Sequence, residues 1–169
     1  ILSGAVAFVS ILLLLGMAGV RYVHAKTPDT GIMAAYARWF GLNAGKAGGV
    51  RVSYAQYLRH LSAERTFLKS SLATDLPKLT PEQEKKRAFD RAMRVAAVHD
   101  LAQQEAVVIP HQVLDDAYAA FLVDFASSTR VDASSVKQVL ERDLGWSEAE
   151  FRAQVLEPAL MEDRLTSDV

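Results

Sequence analysis

The sequence predicts an all-α protein in which an N-terminal transmembrane helix precedes a multi-helix domain, and two observations carry that expectation. Ile1 to Val20 contains only Ile, Leu, Val, Ala, Phe, Met, Gly and two serines. Downstream, apolar residues recur with helical period behind three capping boxes, and no alternating strand pattern exceeds four residues.

Twenty helical residues rising roughly 1.5 Å each cover roughly 30 Å, the thickness of a hydrocarbon core. Residues 1–23 therefore read as a transmembrane anchor and uncleaved signal anchor. The competing reading is a secretory signal peptide, whose apolar region is usually about 7 to 15 residues, with Val23-His24-Ala25 as the cleavage site. Residues 21–70 carry eight Lys or Arg against Asp29 and Glu64. The positive-inside rule taken alone keeps this side cytoplasmic, but that rule is weak for long translocated domains.

Residues 24–49 form a juxtamembrane helix and linker. Thr27 to Gly31 is rich in turn residues. Ile32 to Leu42 then places Met33, Tyr36, Ala37 and Phe40 on one stripe of a short amphipathic helix. Trp39 and Tyr36 suit the headgroup level of a bilayer, or equally a packing role on the main domain. Asn43 to Gly49 reads as a flexible break.

Residues 50–169 form the helical domain. Its capping boxes pair Ser53 with Gln56, Thr80 with Gln83 and Ser147 with Glu150, each hydroxyl and amide or carboxylate satisfying free backbone donors reciprocally. Hydrophobic staples accompany two of them, Val52 against Tyr57 and Trp146 against Phe151, and Pro81 occupies the first helical position of another. The first helix carries Tyr54, Tyr57, Leu58, Leu61, Arg65, Leu68 and Leu72 and ends near Leu76-Pro77. The second, from Pro81, is the central core helix, with Phe89, Ala92, Met93, Ala96, Ala97 and Leu101. Val107 to Ile109 is extended, and Pro110 opens a helix carrying Val113, Leu114, Ala117, Tyr118, Phe121, Leu122 and Phe125 that stops at Ser127-Ser128-Thr129. Asp132 caps Ala133 to Leu144, which closes at Gly145, and the last helix follows with a modest kink at Pro158.

The 19 basic and 20 acidic residues leave a net charge of -1, which gives no field to attract nucleic acid. With no cysteine there is no disulfide, thiolate metal site or thiol nucleophile. His24, His60, His99 and His111 are scattered, and none pairs at metal-ligand helical spacing. No serine has a nucleophile-elbow context, Gly48-Gly49 is a turn, and Glu82 to Arg87 is a solvated first helical turn. The sequence thus carries no catalytic, cofactor-binding or metal-binding residues. The aromatic stripe Tyr54, Tyr57, Tyr118, Phe121 and Phe125 is core by default, and it is also the candidate client-binding set if part of it lies open.

Three segments in order resemble the N-terminal chaperone domain of SurA- and PrsA-type extracytoplasmic folding factors. The first is Gly48-Gly49-Val50-Arg51-Val52-Ser53-Tyr54-Ala55-Gln56-Tyr57-Leu58, similar to the family's Val-Asn-Gly-x-x-Ile element and capped helix, with Gly48 where Asn is usual. The second is Phe89-Asp90-Arg91-Ala92-Met93 with Ala102, Val107, Ile109 and Pro110, in which Ala106 stands where the family has Gly. The third, the most specific, is Gly145-Trp146-Ser147-Glu148-Ala149-Glu150-Phe151-Arg152 with Arg164-Leu165. This resemblance implies an orthogonal multi-helix domain acting as a holdase for unfolded or nascent extracytoplasmic polypeptides, without cofactor or ATP. It implies a single-pass protein of the cytoplasmic membrane, anchored in the bilayer through Ile1 to Val20, with its domain on the extracytoplasmic side. Two other expectations stand beside it. One is the non-catalytic N-terminal portion of a parvulin-type peptidyl-prolyl isomerase; the other is a helical scaffold in a membrane complex.

Overall fold

The computed structural model describes Asp29 and residues 31–47, 49–129, 131–132 and 135–167. The expected anchor, residues 1–23, and the possible cleavage site at Ala25 lie outside the described residues. Among the described residues no helix is long and apolar enough to cross a membrane. The protein is predominantly helical, as the sequence predicts, and its chain divides into two compact units, residues 1–58 and 59–169.

In the first unit, α1 (Gly31–Trp39) ends in a Schellman motif. Gly41 adopts φ +60°, its N–H donates to the Arg38 carbonyl, and the Leu42 N–H donates to that of Ala37. The expected flexible break is instead an antiparallel hairpin of β1 (Asn43–Ala47) and β2 (Val50–Ser53). Lys46 pairs with Arg51 and Gly45 with Val52, and a bulge between Asn43 and Gly45 bends the first strand. No apolar alternation announces β1, because Asn-Ala-Gly-Lys-Ala has no hydrophobic face. The hairpin also ties Val50 to Ser53 to the preceding chain, within the first unit. Ser53 then opens α2 (Tyr54–Lys69), its Oγ accepting from the Gln56 N–H at 3.2 Å.

Within the second unit, α2 stops at Lys69, short of the expected Leu76. The Ser70 hydroxyl and N–H both turn back to the Phe67 carbonyl, and a single 3₁₀ turn follows at Ser71–Ala73. The helix α3 (Pro81–Gln104) has the expected Thr80–Gln83 capping box and buries Ala88, Ala92, Val95 and Ala102, while Leu101 points outward. Its C-terminus is another Schellman motif, with Ala106 and Val107 donating to the Gln103 and Ala102 carbonyls. Ala106 therefore sits at φ +54°, in the left-handed region.

Helix α4 (His111–Thr129) ends where Ser127, Ser128 and Thr129 hydroxyls bond back to the carbonyls of Val123 and Phe125. Helix α5 (Val136–Asp143) has Ser135 as its N-cap, whose N–H donates to the Asp132 carbonyl; the expected start at Ala133 lies outside the described residues. As expected, Gly145 terminates it at φ +69°. The last run comprises α6 (Glu148–Phe151), a π-helical turn at Arg152–Leu156 and α7 (Glu157–Ser167). Pro158 accounts for the π turn. It has no N–H to offer Gln154 and its ring crowds that carbonyl, so the chain widens ahead of it and Glu157 donates to Arg152 instead. Among the described residues two core clusters stand out in the second unit. Ala63, Tyr118, Val136, Leu140, Trp146 and Phe151 form one, and Ala102, Ile109 and Met161 the other, where α3 packs on α7.

Candidate functional site

The five aromatic residues singled out in the sequence are divided between the two units. Tyr54 and Tyr57 lie in the first unit, buried and edge-to-face with centroids 5.5 Å apart. Burial, reinforced by Tyr57 and Asp29, pushes the Tyr54 hydroxyl well above the usual phenol pKa. Tyr118, Phe121 and Phe125 lie in the second unit, Tyr118 in the core and the two phenylalanines half-buried against it. Tyr118 is buried and stacks on Phe121, which meets Phe151 at 4.6 Å and Phe125 at 5.4 Å. The open cradle is elsewhere.

A cleft of about 520 Å³ opens in the second unit, within the range of roughly 300–1,000 Å³ usual for ligand pockets. Its walls are α2 (His60, Ala63, Phe67), α3 (Arg91, Arg94, Val95, Val98), the loop after α5 (Leu144, Trp146), Phe151 of α6, the π turn (Gln154, Val155) and α7 (Pro158, Ala159, Glu162). Aliphatic and aromatic carbon lines most of it. At the rim, Arg94 of α3 donates through Nη2 to both carboxylate oxygens of Glu162 of α7, at 2.7 Å each.

One wall of the cleft is the segment around Gly145, which is locked from α2. Arg59 pairs with the Glu150 carboxylate through Nε and Nη2, donates from Nη2 to the Gly145 carbonyl at 2.6 Å, and lays its guanidinium over the Trp146 ring at 4.4 Å. Glu150 also completes the Ser147 capping box, accepting from the serine N–H and hydroxyl. With Arg59 as the largest influence, its carboxyl is held down at about 2. Gly145 is required twice over. Its φ is left-handed, and a Cβ there would lie 2.9 Å from the Thr66 Cβ and 3.0 Å from the Ala63 Cα.

His60 lies at the base, 4% exposed, with its ring edge-on to Trp146 and Nε2 3.2 Å from Gln154 Oε1. Burial pushes its pKa down. The Gln154 hydrogen bond opposes this, and the charges of Arg91 and Arg59 add to it. A neutral imidazole donating from Nε2 satisfies that contact. Behind it, Glu64 is wholly buried and held by Arg87 (3.2 Å) and Arg91 (2.8 Å), successive turns of α3. On the far side of Phe151, Arg152 covers the Tyr118 ring at 4.3 Å and pairs with Asp115 and Glu148, fixing the π turn against α4.

The arrangement offers burial for apolar side chains with few fixed polar partners. Trp146, Glu150 and Phe151 stand out in the sequence as a cap, a staple and part of the third segment of the resemblance. The roles of Arg59, His60, Gln154 and the Arg94–Glu162 pair had no local signal, because their partners lie 68 to 94 residues away. Comparison with protein-family models, with curated proteins and with solved structures finds no match for this chain.

Proposed function

We propose that this chain is a membrane-anchored extracytoplasmic holdase whose helical domain shields apolar segments of unfolded or newly translocated polypeptides. The observation that carries this reading is the cleft with its mostly apolar lining and the Arg94–Glu162 pair among its walls. The three ordered SurA- and PrsA-like segments support it, and the third of them contributes Trp146 and Phe151 to the lining of that cleft.

Burying one client Leu, Ile or Phe is worth roughly 1.5–3 kcal/mol, and a cleft of this size takes only a few such groups. Binding is therefore weak and reversible per site, which suits a holdase that must release its client without ATP. The Arg94–Glu162 pair neutralises its own charge and imposes no sign on the client. The uncharged Ile1 to Val20 segment keeps the domain at the membrane where clients emerge.

The experiment is suppression of aggregation of a chemically denatured client by the full chain in lipid nanodiscs, with Val155→Asp as the comparison. Val155 is 37% exposed on the cleft wall, so the change places a charge in the binding surface with little effect on folding. Suppression by the wild type that is lost in the variant supports the reading. Absence of suppression by the wild type contradicts it.

A further inference from the structure

Helix α1 is packed the wrong way round for a helix that belongs wholly to water. Ile32, Tyr36, Trp39 and Phe40 fall within an arc of roughly 100° on the helix, and Ala34 and Ala37 lie on the opposite side. The small face is the buried one, with Ala34 at 6% and Ala37 at 0% exposure. The large apolar face is open, with Ile32 at 87%, Trp39 at 88% and Phe40 at 64%. Tyr36 and Phe40 bring their rings to 4.5 Å, so the stripe is continuous along its length.

We infer that this face of α1 docks on the headgroup and upper acyl region of a lipid bilayer. The inference rests on the anchor reading above, because Val20 precedes Gly31 by only ten intervening residues, a tether of at most roughly 35 Å. It also stands on charge. Residues 29–58 carry Arg38, Lys46 and Arg51 against Asp29, and all three cations are exposed, two of them paired across the hairpin that follows α1. An exposed Trp with aliphatic and aromatic residues on one helix face, in a segment with a net positive charge, is the chemistry that anionic headgroups and the interfacial carbonyl layer accept. Docking would hold the hairpin flat near the surface and fix where the following domain starts relative to the membrane.

The test uses the two tryptophans of the full chain, Trp39 and the 8% exposed core residue Trp146. The chain is reconstituted in anionic vesicles with and without shallow-brominated lipid, as wild type and as Trp39→Phe, and vesicle flotation is read in parallel. Docking gives several-fold stronger bromolipid quenching of the wild type than of Trp39→Phe, and Ile32→Ser with Phe40→Ser weakens it. A chain that floats but is quenched equally with and without Trp39 overturns the docking and leaves the anchor standing. A blue-shifted Trp39 that bromolipid does not quench identifies burial against a second copy and also overturns it. A chain that does not float overturns the anchor and the docking together.

Discussion

Arg59 and Glu150, 91 residues apart in the chain, form a two-point ion pair in which Arg59 Nη2 stands 2.5 Å from Glu150 Oε2. The same guanidinium holds the Gly145 carbonyl and covers Trp146, so one side chain of α2 organises the loop between α5 and α6. Arg59→Ala is expected to destabilise the protein by about 2 kcal/mol, from the loss of charge-assisted hydrogen bonds and the stacked cation. Denaturant unfolding of Arg59→Ala, Glu150→Gln and the double variant measures it, and the cycle should show positive coupling rather than additivity.

Acid should reveal the same pair. The Glu150 carboxyl sits at about 2 in the folded state against an ordinary value of 4.5. A depressed acid contributes stability that is fully present above the unfolded value and is lost as pH falls through the folded one. Stability should therefore decline from about pH 4.5 towards pH 2, with Asp143 and Glu148 shifted in the same direction by Arg142 and Lys137. Unfolding titrations of Glu150→Gln should show a shallower decline over that window than the wild type.

His60 adds a second step at milder pH. Burial lowers its pKa from 6.5, so its contribution is complete above 6.5 and is lost as the pH drops towards the lower folded value. His60→Gln should unfold with less pH dependence below 6.5 than the wild type, by circular dichroism in denaturant. Binding of an apolar peptide should weaken only as the pH falls through the lower folded value, because the imidazolium then formed lines the cleft beside Arg91.

Two helix ends make opposite predictions. Ala106→Gly should stabilise the protein by about 1 kcal/mol, since φ +54° strains a side chain that glycine lacks. Gly145→Ala should destabilise it by about 2 kcal/mol or more, because the strain adds to a collision with Ala63 and Thr66. Thermal unfolding of both variants reads the two signs.

The buried carboxylate of Glu64 should be asymmetric to mutation. Removing Arg87 and Arg91 together leaves an uncompensated charge and is expected to cost about 3–5 kcal/mol, whereas Glu64→Gln leaves two half-exposed cations that water can solvate. Equilibrium unfolding of the two variants compares the costs.

These relationships also mark what the sequence could disclose. Helix starts were legible where the signal is local. Thr80 with Gln83 and Ser147 with Glu150 form the expected boxes, and Gly145 ends α5 as expected. The hairpin was not legible, because β1 lacks apolar alternation and is specified by its pairing with Val50 to Ser53. The π turn was read only as a kink, since proline dictates that the α ladder breaks and not how it is repaired. Of the aromatic stripe Tyr54, Tyr57 and Tyr118 are buried and Phe121 and Phe125 half-buried, but the cleft draws on residues 60–67, 91–98 and 144–162, and no spacing within any one of those segments announces the cavity between them.

The central claim is that the cleft walled by Trp146, Val95 and Val155 receives apolar client segments. The direct measurement is site-specific photo-cross-linking, with a benzoylphenylalanine in place of Val155 on the cleft wall or of Val123, which is 63% exposed on α4 outside the cleft. In the full chain in nanodiscs, an apolar extended peptide should cross-link from position 155 and be competed by unlabelled peptide, with little product from position 123. Equal cross-linking from both positions, or none from 155, would contradict the account.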